Sequence, residues 1–201
     1  LETLPKKPKI LFTSSGAIYG NNKTKKKENS IISYKKINEL TGYKKNYALE
    51  KVFMESKFKE LGKLNYDVSI ARCFNFLGKY ILNSNQAVGS LISDGLIKNT
   101  ITLNTSTNVY RGYMNADDLV RWLIVILKNS NKNCPIYNVG SDKGINLRFL
   151  AKKIAKIFNK QLKLKKLKKF QTDYYVPSVN KAKKDLKLKI SINLNDSLNS
   201  F

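Results

Sequence analysis

The chain has 201 residues, 42% of them hydrophobic, which is enough for one sizeable buried core or for one domain with an appendage. Its formal charge is +24, yet Arg72, Arg111, Arg121 and Arg148 are the only arginines and every other basic residue is lysine; base and phosphate readout favours arginine's fork, so the excess reads as a solvated surface with AT-rich codon usage, and no specific nucleic-acid partner is expected. With no histidine, two distant cysteines and no apolar run near the roughly 20 residues a bilayer requires, a metal centre, a Ser-His-Asp hydrolase and a membrane span are excluded, and the reducing cytoplasm is the default location.

After a Pro/Lys segment, Lys9 to Thr13 is an apolar run of the kind that forms a buried parallel strand. It opens into Ser14-Ser15-Gly16-Ala17-Ile18-Tyr19-Gly20, small hydroxyl residues and glycines such as border a site at the carboxyl end of a strand in an open α/β sheet. Residues 21–32 are polar and predict a surface loop. The spacing predicts a helix over Lys44 to Leu61, with Gly62 as its stop signal, then a strand over Tyr66 to Arg72. Strand, helix, strand is a βαβ unit.

Residues 79–86 read as irregular and Ala87 to Lys98 as a helix, followed by a short strand at Ile101 to Leu103, a turn, and an extended stretch at Tyr110 to Met114. Asn115 is placed to cap a helix whose first turn holds Asp117 and Asp118, where the helix dipole favours acids. Leu119, Val120, Trp122, Leu123, Ile126 and Leu127 are its predicted buried face. A strand at Pro135 to Gly140, a helix at Leu147 to Phe158 capped by Asn146, an edge strand at Leu162 to Leu164, a helix at Val179 to Leu186 and a tail at Leu194 to Phe201 complete the chain. Over half of the excess charge lies between Arg148 and Lys189, where Asp173 and Asp185 are the only acids.

Tyr47 and Lys51, four apart on the first long helix, share one face. The ammonium favours the phenolate form of its neighbour and so suits the tyrosine to proton exchange near neutral pH. A lysine-rich chain also produces this spacing by chance, as a solvated pair. The flanking blocks give it meaning.

Five blocks in order, Thr13 to Gly20, Tyr47-x-x-x-Lys51, Arg72-Cys73-Phe74-Asn75-Phe76-Leu77-Gly78, Arg111 to Leu119, and Tyr137-Asn138-Val139-Gly140-Ser141, resemble the extended short-chain dehydrogenase/reductases, the NAD-dependent nucleotide-sugar epimerases and dehydratases. Val176 to Ala182 looks like that family's closing segment. The resemblance implies an α/β fold: a Rossmann-like doubly wound parallel sheet over residues 1–78, and a small α+β substrate-binding lobe over 79–201 whose 110–140 part returns to the main sheet. It implies NAD or NADP as cofactor and a nucleotide sugar as substrate. Tyr47 is then the proton acceptor and Lys51 its partner, with both also on the nicotinamide ribose. Ser15 holds the same substrate oxygen, and Ser14, Phe74 and Phe76 lie beside the cofactor. Asn75, Arg111 and the helix start at Ala87-Val88 bind the sugar nucleotide, the arginine and the backbone donors on its diphosphate. Read without the resemblance, Phe74 and Asn75 are ordinary core and turn residues and Arg111 a surface arginine. A homodimer formed through the Tyr47 helix is a further implication.

Two departures from the family pattern shape the expectation. No G-x-x-G-x-x-G occurs, and the first strand matches the family's fifth, so the amino-terminal strands with the cofactor's phosphate loop are expected upstream of Leu1. Gly16 and Ala17 stand where dehydrating members carry acids. The expectation is therefore an epimerase or ketoreductase, with a 4,6-dehydratase using other acids, or a non-catalytic basic binding protein, as alternatives.

Overall fold

A computed structural model describes residues 7–78, 86–168 and 172–201. The irregular start predicted at 79–85 lies outside them. The main sheet has three parallel strands in the order β1 (Ile10–Ser15), β2 (Val68–Cys73), β7 (Ile136–Val139), with β1 at its edge among the described residues. Side chains alternate across its faces. Ile10, Phe12, Val68, Ile70 and Ile136 face α2 (Tyr43–Lys63), whose Phe58 stacks on Phe12 at 4.4 Å between ring centroids. Leu11, Ala71, Cys73, Tyr137 and Val139 face α4 (Ala116–Lys128), around the buried Trp122 and Ile126. Helices on both faces of a parallel sheet make this the doubly wound α/β arrangement expected from the strand–helix–strand pattern.

The remaining strands form small sheets beside it. In one, β5 (Asn108–Gly112) pairs in parallel with β10 (Thr172–Tyr175) and antiparallel with β8 (Gly144–Asn146). In another, β4 (Thr100–Leu103) pairs with β9 (Gln161–Leu164), whose Leu162 and Leu164 turn inward as the alternation predicts. The two-residue strands β3 (Phe76–Leu77) and β6 (Met114–Asn115) pair with each other. A second core gathers Val88, Leu91 and Ile92 of α3 (Ala87–Ile97) with Leu147, Leu150 and Ile154 of α5 (Leu147–Ile157) and with Ile101 and Leu103. Within 110–140, then, α4 and β7 belong to the main sheet's layers, whereas β5 pairs elsewhere.

Two local expectations change. Gly62 does not end α2 but lies inside it, buried, because the loop after α4 crosses there: a Cβ at this position would sit 2.7 Å from the Lys132 carbonyl oxygen. The helix runs one residue further, to Lys63, and Asn65 beyond it is in the left-handed region at φ 62°. Val120 is 54% exposed, since it and Ile124, one turn apart, point away from the sheet that α4 covers. Residues 21–32 form the predicted surface loop, and it is tied down. Asn138 donates its backbone N–H to Glu28 Oε1 and its side-chain amide to the Lys26 carbonyl, both at 2.9 Å, and Lys26 bridges to Pro177.

The caps hold as read. Asn115 accepts from the Asp117 N–H at 2.8 Å and Asn146 from the Arg148 N–H at 2.9 Å. Asp118 does something the capping pattern does not reveal. Fully buried, it accepts the Ser191 and Ile192 N–H groups at 2.9 Å each, while Trp122 Nε1 donates to the Lys189 carbonyl, so the start of α4 holds the chain segment before α7 (Leu194–Asn199). Among the described residues no helix is long and apolar enough to cross a membrane.

Candidate active site

The carboxyl ends of the three parallel strands meet in one place. Register sets Ser15 opposite Cys73 and Cys73 opposite Val139, so the serine loop, the Phe74-Asn75 turn and Gly140 are neighbours. Ser15 ends β1 in an extended conformation, and its Oγ accepts the Ala17 N–H at 3.1 Å, starting the short 3-10 turn Gly16–Tyr19.

α2 packs along β1, β2 and that turn. It brings up Tyr47, 41% exposed, and Lys51, whose Nζ donates to the Thr13 carbonyl at 2.9 Å and lies 5.5 Å from the Tyr47 ring centroid. One turn further along the same stripe is Glu55, 1% exposed. It accepts from Ser14 Oγ at 2.7 Å and takes both prongs of the buried Arg72, at 2.9 and 2.8 Å. Arg72 Nη1 continues to the Tyr19 hydroxyl at 2.8 Å, which donates to Asn138 Oδ1 at 2.9 Å. Burial disfavours charge on Arg72, but the hydrogen bonds it donates to Glu55 and Tyr19, with their electrostatic attraction, outweigh it and hold the guanidinium above its ordinary pKa. Burial likewise raises the Tyr19 phenol, with Arg72 pulling the other way.

The other predicted residues fall as follows. Ser14 directs its hydroxyl to Glu55 rather than outward. Phe74 is buried between the serine turn and Tyr175, the two rings 4.6 Å apart. Asn75 gives its carbonyl to the Met114 N–H, and its buried side-chain Nδ2 has no hydrogen-bond partner among the described residues. Phe76 is half-buried in β3. Arg111 lies over the Tyr175 ring at 5.6 Å and is paired with Asp173. Ala87 is exposed at the start of α3, whereas the Val88 side chain belongs to the second core, leaving only its backbone N–H for a ligand.

Tyr175 was not singled out by the sequence. Its hydroxyl is 3.4 Å from Ser15 Oγ, across 160 residues of chain. Burial raises its pKa, against the hydrogen bond to Ser15 and the charge of Arg111, so it gives up its proton less readily than an ordinary phenol. The exposed tyrosine of the cluster is Tyr47.

The family profile described as "NAD dependent epimerase/dehydratase family" matches residues 1–140. The chain belongs to that family. No protein of curated function matches the sequence. Among solved structures, UDP-glucose 4-epimerase from Thermotoga maritima, with UDP-glucose, superposes with a TM-score of 0.77 at 21% identity, over 96% of this chain and 62% of that one. dTDP-glucose 4,6-dehydratase from Bacillus anthracis, in complex with NAD, gives 0.75 at 15% identity, over 95% and 59%. The protein RMD from Pseudomonas aeruginosa, complexed with NADPH, gives 0.74 at 20% identity, over 94% and 64%. At such identities the likeness is one of fold, and the chain spans less than two thirds of each of these proteins.

Within this epimerase/dehydratase-family chain, Glu55 had a legible signal, because Tyr47, Lys51 and Glu55 repeat every four residues along one helical stripe. Tyr175 had none, since its partner Ser15 is supplied by the opposite end of the sequence.

Proposed function

We propose that the full-length protein is an NAD(P)-dependent epimerase or ketoreductase of a nucleotide sugar, acting in the cytoplasm. The observation that supports the reading is the Lys51 ammonium, beside the Tyr47 ring and on the Thr13 carbonyl two residues before Ser15, while Tyr175 links Ser15 to Arg111. A phenol, an ammonium and a hydroxyl carried close together on β1 and α2 would form a proton-transfer set for a carbinol–ketone interconversion.

The residues present suit one end of a dinucleotide. The Lys51 ammonium has donors beyond the one that reaches Thr13, and with the phenol of Tyr47 it offers what two ribose hydroxyls accept. Asn75 Nδ2 is a buried donor awaiting an acceptor. The phosphate-cradling glycine loop is to be supplied by sequence outside these 201 residues. NAD(P), if bound there, would supply reversible hydride transfer.

Tyr47 accepts the hydroxyl proton from the sugar and gives one back in the reverse direction. Ser15, its Oγ fixed by the Ala17 N–H, donates to the same oxygen and steadies the charge that develops there. Arg111 exchanges Asp173 for the substrate's diphosphate, which its fork can grip in two places, and the N–H groups opening α3 at Ala87 and Val88 add donors. Ser14, through Glu55, keeps the serine loop and α2 in register. Phe74 and Phe76 wall the nicotinamide side. The exposed Phe53 and Met54 of α2 would be covered in a homodimer.

The test is turnover of UDP-glucose and dTDP-glucose by the full-length protein, followed by NMR of the sugar ring protons. Tyr47→Phe is expected to lower kcat by roughly 10²- to 10⁴-fold with substrate binding retained. Turnover unchanged in Tyr47→Phe would remove this reading.

A further inference from the structure

The last turns of α3 and α5 lie side by side. Gly95 permits this: a Cβ there would come within 2.6 Å of the Phe158 ring, so the ring packs directly onto the α3 backbone. From that contact α3 runs into β4 and α5 into β9. The two strands pair in parallel from Thr100 and Gln161, and the Gln161 N–H donates to the Asn99 carbonyl at 3.3 Å. One end of the second lobe is therefore made by two adjoining helix–strand junctions.

That end presents aliphatic side chains to solvent. Ile97 is 75% exposed, Leu96 45% and Ile157 42%, while Ile92 and Ile154 of the same helices fill the second core. The surface around them is basic. Between Arg148 and Lys168 there are nine basic residues and no acid. Lys156 on α5 and Lys163 on β9 are exposed. Asp94, on the last turn of α3, is itself buried, is paired with Lys98 at 2.7 Å and accepts the Thr102 N–H, so it offsets little of this charge.

Aliphatic tips ringed by ammonium groups suit an anionic bilayer surface, where the tips enter between headgroups and the lysines meet lipid phosphates. A nucleic acid is better met by arginine forks and aromatic stacking faces. The exposed apolar residues at this end are Leu and Ile, and Arg148 is the one arginine of the basic stretch.

We propose that the paired ends of α3 and α5 dock on an anionic membrane surface, with Leu96, Ile97 and Ile157 in the headgroup layer and the lysines of α5 and β9 on lipid phosphates. The contact is peripheral, since among the described residues no helix is long and apolar enough to cross a bilayer. The 11 residues of α3 span about 15 Å, so docking leaves its Ala87 end free. The proposal does not rest on the nucleotide-sugar reading.

The experiment is flotation of the full-length protein with vesicles of equal parts phosphatidylglycerol and phosphatidylcholine, and with vesicles of phosphatidylcholine alone, at physiological ionic strength. Binding to the first and not to the second is expected. Ile97→Ser combined with Ile157→Ser keeps every charge and is expected to weaken binding roughly 10-fold or more. Lys156→Glu combined with Lys163→Glu is expected to abolish it. Lys25→Glu combined with Lys132→Glu makes the same change of net charge at exposed positions on loops beside the main sheet. It is expected to alter binding by no more than about twofold, because charges beyond a Debye length from the contact are screened. Equal losses from the two charge pairs, or full binding by the serine pair, would overturn the proposal, as would failure of the parent to bind anionic vesicles. A protein that ignores the vesicles but holds single-stranded RNA through Lys156 and Lys163 would assign the surface to nucleic acid instead.

Discussion

Glu55 and Arg72 form a bidentate ion pair, each about 2% exposed or less, that ties the Tyr47/Lys51 helix to the middle strand of the main sheet. Ser14 Oγ and the Tyr19 hydroxyl join it, so one buried network spans the helix, the edge strand and the serine turn. Removing one partner leaves the other charged and buried without its counter-charge. Arg72→Met and Glu55→Leu are each expected to cost about 3–5 kcal/mol, and the double variant to recover much of that loss, since two apolar groups replace two charges. Urea unfolding of the four proteins measures it, and a single variant as stable as the parent would contradict the role given to the pair.

The carboxyl-terminal segment is held at Asp118. The backbone N–H groups of Ser191 and Ile192 lose their charged, fully buried acceptor in Asp118→Ala, which is expected to destabilise the protein by about 1–3 kcal/mol. The same variant is expected to open residues 187–201 to limited proteolysis before the rest of the chain. Cleavage at the parental rate would show that the segment is held by other contacts.

Alkaline pH acts on buried thiols and a buried phenol. Burial pushes Cys73 up to about 11 from its ordinary 9.0, against the charge of Lys51, and Cys134 to about 11, against Lys59. Burial pushes Tyr113 from 10.0 to about 12, against Arg111. For all three, the folded state keeps its proton to higher pH than the unfolded state does. Their contribution to stability is therefore fully present below about pH 9 and is lost as pH rises from about 9 through 12. Urea midpoints at pH 7, 9 and 11 are expected to be level over the first interval and to fall over the second. Replacing both cysteines with alanine should flatten the part of the decline between pH 9 and 11.

The 201-residue chain on its own is expected to bind NAD only weakly. It carries residues suited to the nicotinamide end and no glycine-rich loop for the pyrophosphate, where much of a dinucleotide's grip resides. Calorimetric titration of this segment should give no more than the heat of dilution. Saturable binding at micromolar NAD would show that other residues hold the phosphates.

Local order alone determined a good deal of this protein. Apolar runs ending in Ser14-Ser15-Gly16 and in Cys73-Phe74-Asn75, separated by a helix with Tyr47 and Lys51 on one face, already specify parallel strands whose carboxyl ends share a site. Periodicity and turn chemistry are short-range properties and can be read within about 20 residues. The tertiary structure decided what depends on distant partners. Gly62 looks like a stop signal until the loop carrying Lys132 is seen crossing it, and Val120 looks buried until α4 is docked on the sheet. Ser14 turns to Glu55, Arg111 to Asp173 and Tyr175 to Ser15, pairings across 41, 62 and 160 positions. No local pattern encodes such contacts, because they arise only when burial forces each polar group to find an acceptor or donor among the chain segments that the fold brings beside it.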